Sequence, residues 1–290
     1  MITVAHTAMP TALAIAAAGA TPVFVDVDPQ TCRLRPDQLA AAITPKTRAI
    51  VAVHLYGHCA DMDAMMEFAA RHKLRVIEDA AQAHGSSYKG RKAGSIGIMG
   101  CVSFYPTKDM GACGDAGAVV TNNAELAARL RRLRNYGESR KYHHETMGYN
   151  SRLDELQAAI LRAKLPHLEQ WNESHRNLAA GYSSRLEGRF CSPKVAPGCV
   201  HSYHLFVIHS NQRDALHEHL SAHGIQTLIH YPIPCHLQPA PWNIEHRCCE
   251  LSVTEHLASR ILSLPMSAAL SGEHVEYVAR CVNSFGVKAC

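Results

Sequence analysis

The stretch "TPVFVDVDPQTCRLRPDQLAAAITPKTRAIVAVHLYG", residues 21–57, decides the fold. It opens with a β-branched apolar run, "TPVFVDVD" (21–28), continues through "RPDQLAAAI" (35–43) at helical spacing, and ends in "RAIVAVHLYG" (48–57), an apolar strand closed by glycine. Two buried strands joined through a helix make a β-α-β unit. Further on, "DMDAMMEFAARHK" (61–73) offers Asp61 as an N-cap before an apolar helix face, and "LRVIEDAA" (74–81) is the next short buried strand. "MGCVSFY" and "GAVVTN" add two strands, and "AELAARLRRLRNYG" a basic amphipathic helix stopped at Gly137. Apolar strands separated by helices predict an α/β fold with a mostly parallel sheet covered on both faces. Ligands in such sheets gather at the carboxyl ends of the strands.

Towards the N-terminus, "ALAIAAAGA" looks like the apolar part of a secretion signal, but no Lys or Arg precedes Arg33. A short helix ending at Gly19 accounts for the same residues. Towards the C-terminus, residues 151–188 read as one long helical connector with Ser151 as N-cap, Asp154 at the third helical position and a kink at Pro166. Beyond it, "YHLFVIHS", "QRDALHEHLSAHG" and "TLIHYP" precede two more helices, near 252–263 and 272–285, which together suit a smaller α+β domain.

A chain of 290 residues that is 47% hydrophobic can bury a large core, and a net charge of +4 with interspersed signs leaves no basic stripe for nucleic acid or a membrane surface. No stretch is long and apolar enough to span a bilayer. Eleven cysteines without a C-x-x-C pair, and histidines scattered along the chain, predict reduced thiols in the cytoplasm and no metal site.

The chemistry concentrates at two strand ends. "VIEDAAQAHG" finishes with Asp79, three residues before Gln82, and "CVSFYPTKDMGACGDAGAVV" (101–120) places Lys108 between Ser103 and a glycine-rich run. Taken singly, Asp79 reads equally as a turn cap and Lys108 as a surface charge. Together, a strand-end lysine and a strand-end aspartate are what pyridoxal phosphate needs: an amine for the Schiff base and a carboxylate to keep the pyridine nitrogen protonated. The small residues Gly111, Ala112, Gly114, Ala116 and Gly117 are expected to leave room for a flat cofactor, and Ser103 to bind its phosphate.

The blocks "AGATPVFVDVDPQT", "VHLYGHCADMDAM", "VIEDAAQAHGSSYKGRKAGSIG", "SFYPTKDMGACGDAGAVVTN", "GYNSRLDELQAAIL", "HYPIPCHLQPA" and "ILSLP", in this order, resemble the DegT/DnrJ/EryC1/StrS sugar aminotransferases of the fold type I pyridoxal phosphate enzymes. The resemblance implies a cofactor-binding large domain at 1–165 and a small C-terminal domain at 166–290. It implies that Lys108 carries pyridoxal 5'-phosphate, that Asp79 pairs with the pyridine nitrogen, that Gln82 neighbours the phenolic oxygen and that Ser103 binds the phosphate. Asn150 in "GYNSR" then reaches the phosphate of a second subunit, which implies a homodimer; read by itself it is a helix N-terminal turn. His230, Tyr231 and His236 are expected to line a sugar-nucleotide pocket, or else to be edge residues of a Pro-rich loop. The implied reaction takes an amino group from glutamate and gives it to a keto sugar nucleotide, with "DAAQAHG" closer to members acting on 3-keto than on 4-keto sugars.

The resemblance also carries a departure. Members begin several dozen residues earlier, with a Gly-Thr turn that cradles the phosphate, so the chain is expected to be N-terminally short and to bind the cofactor weakly. Where they carry an aromatic that stacks on the cofactor, "AHTAMPT" has Ala8, and His6 is expected to supply the stacking face. An impaired remnant that folds, or pairs with a full-length relative, without turnover is the alternative. A related pyridoxamine-dependent dehydratase is disfavoured because Lys108 is retained.

Overall fold

The computed structural model describes residues 1–239 and 247–286. The chain opens with β1 (Ile2–Val4), and the strands predicted between residues 21 and 120 form: β2 (Val23–Val25), β3 (Ala49–Val53), β4 (Arg75–Asp79), β5 (Met99–Ser103) and β6 (Gly117–Val120). The helices between and after them are α1 (Met9–Ala17), α2 (Leu39–Ala42), α3 (Met62–Arg71), α4 (Ala124–Leu133), α5 (Glu155–Lys164) and α6 (Leu168–Arg185). Later come β7 (Phe206–His209), α7 (Arg213–Ala222), β8 (Arg247–Cys248), α8 (Ser252–Ala258), β9 (Ile261–Leu264) and α9 (Gly272–Ser284).

Seven strands form one sheet in the order β8-β2-β1-β3-β4-β5-β6, parallel throughout except for the last pair. The strand order reverses at β1, which sits between β2 and β3, so the chain crosses to opposite sides of β1 and opens a crevice at the carboxyl ends. Ile2, Val25, Ile50, Ala52 and Val76 pack with Met62 and Met65 of α3 in the core beneath that sheet. Asp61 caps α3 as expected, accepting the Ala64 N–H at 3.3 Å, and Asn123 caps α4 through the Leu126 N–H at 2.9 Å. Such caps contribute about 1 kcal/mol each.

A second cluster forms where β7 and β9 pair antiparallel under α6, α7 and α9. Tyr182 of α6 stacks on Phe206 of β7 with ring centroids 4.9 Å apart. Asp26, just after β2, ties the sheet edge to α8, which packs on the first cluster. Its Oδ2 accepts the Val253 N–H at 2.8 Å, and its Oδ1 accepts the Thr254 N–H at 2.8 Å and the Thr254 hydroxyl at 2.6 Å. A buried carboxylate thereby satisfies the open N–H groups at the start of α8 from 228 residues away.

Three expectations about elements are corrected. Ser151 is not an N-cap: residues 151–154 are non-helical, and Asp154 stands at the cap position of α5 without a side-chain bond. The helix expected over 252–263 stops at Ala258, and Ile261–Leu264 is β9, because the apolar "ILSL" finds its partner in β7. "RPDQLAAAI" makes only a 3₁₀ turn and the single turn of α2. The break at Pro166 is present as a 3₁₀ turn over Leu165–His167, where proline has no N–H for the helical ladder.

Candidate active site

Parallel strands bring their carboxyl ends to one edge, so residues following β1, β3, β4 and β5 meet there. After β5 the chain folds into a tight turn: the Phe104 N–H bonds to Ala116 O, the Lys108 N–H to Tyr105 O and the Ala112 N–H to Phe104 O, each at 2.8 Å. Lys164 Nζ, from α5, donates to Gly111 O at 2.6 Å, and Gln157 Oε1 accepts the Cys113 N–H at 2.8 Å. Held this way, Lys108 is half-buried and its amine has no hydrogen-bond or ion-pair partner among the described residues. Burial lowers its pKa below that of an ordinary lysine, against the raising charges of Asp79 and Asp109.

Asp79 ends β4, one strand over. Its Oδ2 accepts the hydroxyl of Thr11 on α1 at 2.6 Å and its Oδ1 the Ala81 N–H at 3.1 Å, which leaves lone pairs free. Gln82 is 7% exposed and locked: Oε1 accepts the Tyr56 N–H at 2.7 Å, and Nε2 donates to Tyr231 Oη at 2.9 Å. Tyr56 follows β3 with a left-handed φ of 62° and donates its hydroxyl to His230 O at 2.5 Å. Since that proton is spent, His6 Nε2, 3.0 Å from Tyr56 Oη, is the donor of their bond. Gln82, Tyr56, His6, His230 and Tyr231 are thus linked at the same edge as Lys108 and Asp79. His230, whose Nδ1 lies 2.9 Å from Ser263 Oγ, is lowered to about 4 by burial, with the His204 and Lys108 charges adding.

Within this linkage His6 is closed in, and the remaining predicted site residues stand apart from it. His6 is 2% exposed, edge-on to the Tyr56 ring, and lowered to about 4 by burial; it presents no open face for stacking, which corrects that expectation. Ser103 is half-buried, its Oγ accepting the Tyr105 N–H at 3.3 Å. Asn150 is exposed and bridged to Asn135. His236 is bound through Nε2 to Glu255 Oε1 of α8 at 3.0 Å. Of the small residues beside Lys108, Gly111 and Ala112 serve the loop itself: a Cβ on Gly111 would lie 2.3 Å from Pro106 O, and Ala112 is 3% exposed. Thr11 and Tyr56 escaped the sequence reading because their partners lie 68 and 174 residues away.

A family model, the DegT/DnrJ/EryC1/StrS aminotransferase family, matches residues 1–283. The chain is 49% identical over 278 residues to the dTDP-3-amino-3,4,6-trideoxy-alpha-D-glucose transaminase of Streptomyces venezuelae, covering 95% of this chain and 72% of that one. It is 48% identical over 273 residues to the UDP-N-acetyl-3-dehydro-alpha-D-glucosamine 3-aminotransferase of Acidithiobacillus ferrooxidans, covering 94% and 73%. Among solved structures, S. venezuelae DesV in complex with a ketimine intermediate matches with a TM-score of 0.93 at 45% identity, covering all (100%) of this chain and 79% of that one.

Proposed function

The chain belongs to the DegT/DnrJ/EryC1/StrS aminotransferase family, and from that premise we propose that it moves an amino group from glutamate to the keto carbon of a sugar nucleotide, a 3-keto sugar in preference to a 4-keto one. The observation that carries this reading is Lys108, an amine half-buried and unpartnered, in the turn after β5, the strand next to the one that ends in Asp79. The donor set fits pyridoxal phosphate: a free amine, a carboxylate with spare lone pairs and a hydroxyl at Ser103. The names of the two relatives, a 3-amino and a 3-dehydro sugar, support the 3-keto preference.

In this reading Lys108 holds the cofactor, Asp79 faces its ring nitrogen, Gln82 stands by its phenolic oxygen, and Ser103 with Asn150 of a second copy takes its phosphate. When bound, pyridoxal phosphate supplies a carbonyl that accepts the amino group and a ring that spreads the electrons released beside it. Asp79 stabilises the protonated ring by a charge-assisted hydrogen bond, and the Thr11 and Ala81 donors keep the carboxyl oriented. Lys108 Nζ, easier to deprotonate than an exposed amine, takes the proton from the α carbon of the donor amino acid. Gln82 and Tyr231 fix one wall, and His6 steadies Tyr56 behind it. His230, Tyr231 and His236 are assigned to the sugar-nucleotide side.

A homodimer is favoured by the large apolar side chains exposed around Asn150, with Tyr142 at 80%, Met147 at 89% and Tyr149 at 68%. Residues 1–165 make the cofactor-binding part and 166–290 the smaller part. Free thiols at every described cysteine favour the cytoplasm, and no helix among the described residues is long and apolar enough to cross a membrane. The test is to load the protein with pyridoxal phosphate, reduce it with borohydride and map the modified peptide. A pyridoxyl group on Lys108 is expected; its appearance on another lysine with Lys108 untouched overturns the assignment.

A further inference from the structure

The residue after Lys108 points away from solvent. The Asp109 side chain is 5% exposed, and its Oδ1 lies 3.1 Å from Nδ1 of His204, whose side chain is 8% exposed. Hydrogen bonds and charges from His204 hold Asp109 below the usual carboxylate range although burial pushes it up. An ionised carboxylate only accepts, so the proton sits on His204 Nδ1. The other oxygen, Oδ2, is buried without a partner.

Four neighbouring side chains share that condition. Both ring nitrogens of His84, Nδ1 of His175, Oδ1 of Asn172 and Oγ of Ser202 are buried and unpartnered. Asn172 Nδ2 donates to His84 O at 2.8 Å, and the charges of His84, His175 and His204 all act on Asp109. Each such orphan costs about 1–3 kcal/mol if dry, and native interiors resolve the cost with buried water. No group of three or more His, Cys, Asp and Glu side chains among the described residues is placed to hold a metal ion. The surroundings of Asp109 are therefore polar and only partly satisfied.

The Lys108 turn does not need a carboxylate to stay folded. Lys164 and Gln157 already tie down its far side, and a neutral residue would fill this position without burying a half-satisfied charge. What a charge adds is a field at the amine one residue away. Resting on the reading of Lys108 above, we propose that Asp109 is a positioning residue for it: clasped by His204 and buried, its carboxylate holds a fixed negative charge one residue from the amine. Asp79 and His230 act on Lys108 from the crevice side, and His84, His175 and His204 surround Asp109 from within.

The experiment uses the cofactor-free protein, so that it reads the amine and not turnover. The rate at which Lys108 is modified by an amine-reactive reagent is followed against pH by peptide mass spectrometry. Asp109→Asn and Asp109→Ser, by removing the charge, should shift the profile to lower pH and raise modification roughly threefold or more at a pH below the midpoint. Asp109→Glu should keep the profile close to the parent. A parental profile in either folded neutral variant overturns the proposal, and so does failure of both to fold, which would make Asp109 purely structural. If Lys108 proves not to hold the cofactor, the functional reading falls while this titration still stands or fails by itself.

Discussion

Glu78 and Asp109 each face a histidine in the interior, Glu78 Oε2 at 2.8 Å from His54 Nε2 and Asp109 Oδ1 at 3.1 Å from His204 Nδ1. Glu78 has every lone pair spoken for. Its Oε2 also accepts the Gly94 N–H at 2.7 Å, and its Oε1 the N–H groups of Ile96 and Gly97, both at 2.6 Å. His54 Nδ1 accepts the Ala60 N–H at 3.1 Å, which fixes the tautomer with the proton on Nε2. Asp109, by contrast, keeps an oxygen unpaired amid four side chains with orphan atoms. A closed network rigidifies the sheet, whereas an open one beside a free amine leaves a charge to be felt.

The largest effect should come from breaking the closed pair. Glu78→Ala strands His54 and three backbone N–H groups, and a loss of about 3–5 kcal/mol is expected in urea denaturation. A loss below 1 kcal/mol, on the order of an exposed cap, would erase the contrast between the two networks.

Asp79, the neighbour of Glu78 on β4, faces the crevice instead. Asp79→Asn should keep the fold and lower the amino-transfer rate on the order of a hundredfold, because the ring nitrogen loses its counter-charge. An unchanged rate with an unchanged urea midpoint would reduce Asp79 to a turn cap.

The mildest lever is pH. Burial lowers His84 from 6.5 to about 4, with Asp109 pulling the other way. The unfolded chain binds the proton more readily, so stability is fully present above about pH 6.5 and is lost as the pH falls towards 4. At pH 5 this single group should cost roughly 2 kcal/mol. Glu78 is pushed up by burial and pulled down further by its His54 and glycine bonds, so its contribution outlasts that window and fades only at lower pH. The urea midpoint should therefore drop between pH 7 and pH 5, and His84→Gln should remove part of the drop. A flat parental profile would mean that the open cluster is not strained by acid.

Local pattern carried the reading of the sheet a long way. The β-branched runs, the Asp61 cap and the glycine stops each act over a few residues, and Lys108 and Asp79 could be placed because they end such runs. "ILSL" could not, since four apolar residues after a helix suit either element until β7, more than 50 residues earlier, claims them as β9. The Asp109–His204 pair spans 95 residues, Thr11–Asp79 68 and Gln82–Tyr231 149, and no spacing rule reaches that far. His6 illustrates the converse: residue type suggested a stacking face, and burial against Tyr56 removed it.

The seam at Asp26 also sets a clock on the ribosome. The donors that satisfy this carboxylate, at Val253 and Thr254, are made 227 and 228 residues after it. At about 5–20 residues per second, the edge of the sheet waits on the order of ten to forty seconds with an acid whose helix is not yet made. Until β8 arrives, β2 remains an edge strand without its outer neighbour. The last quarter of the chain thus finishes the first, and the nascent protein is most in need of a chaperone while it is already mostly synthesised.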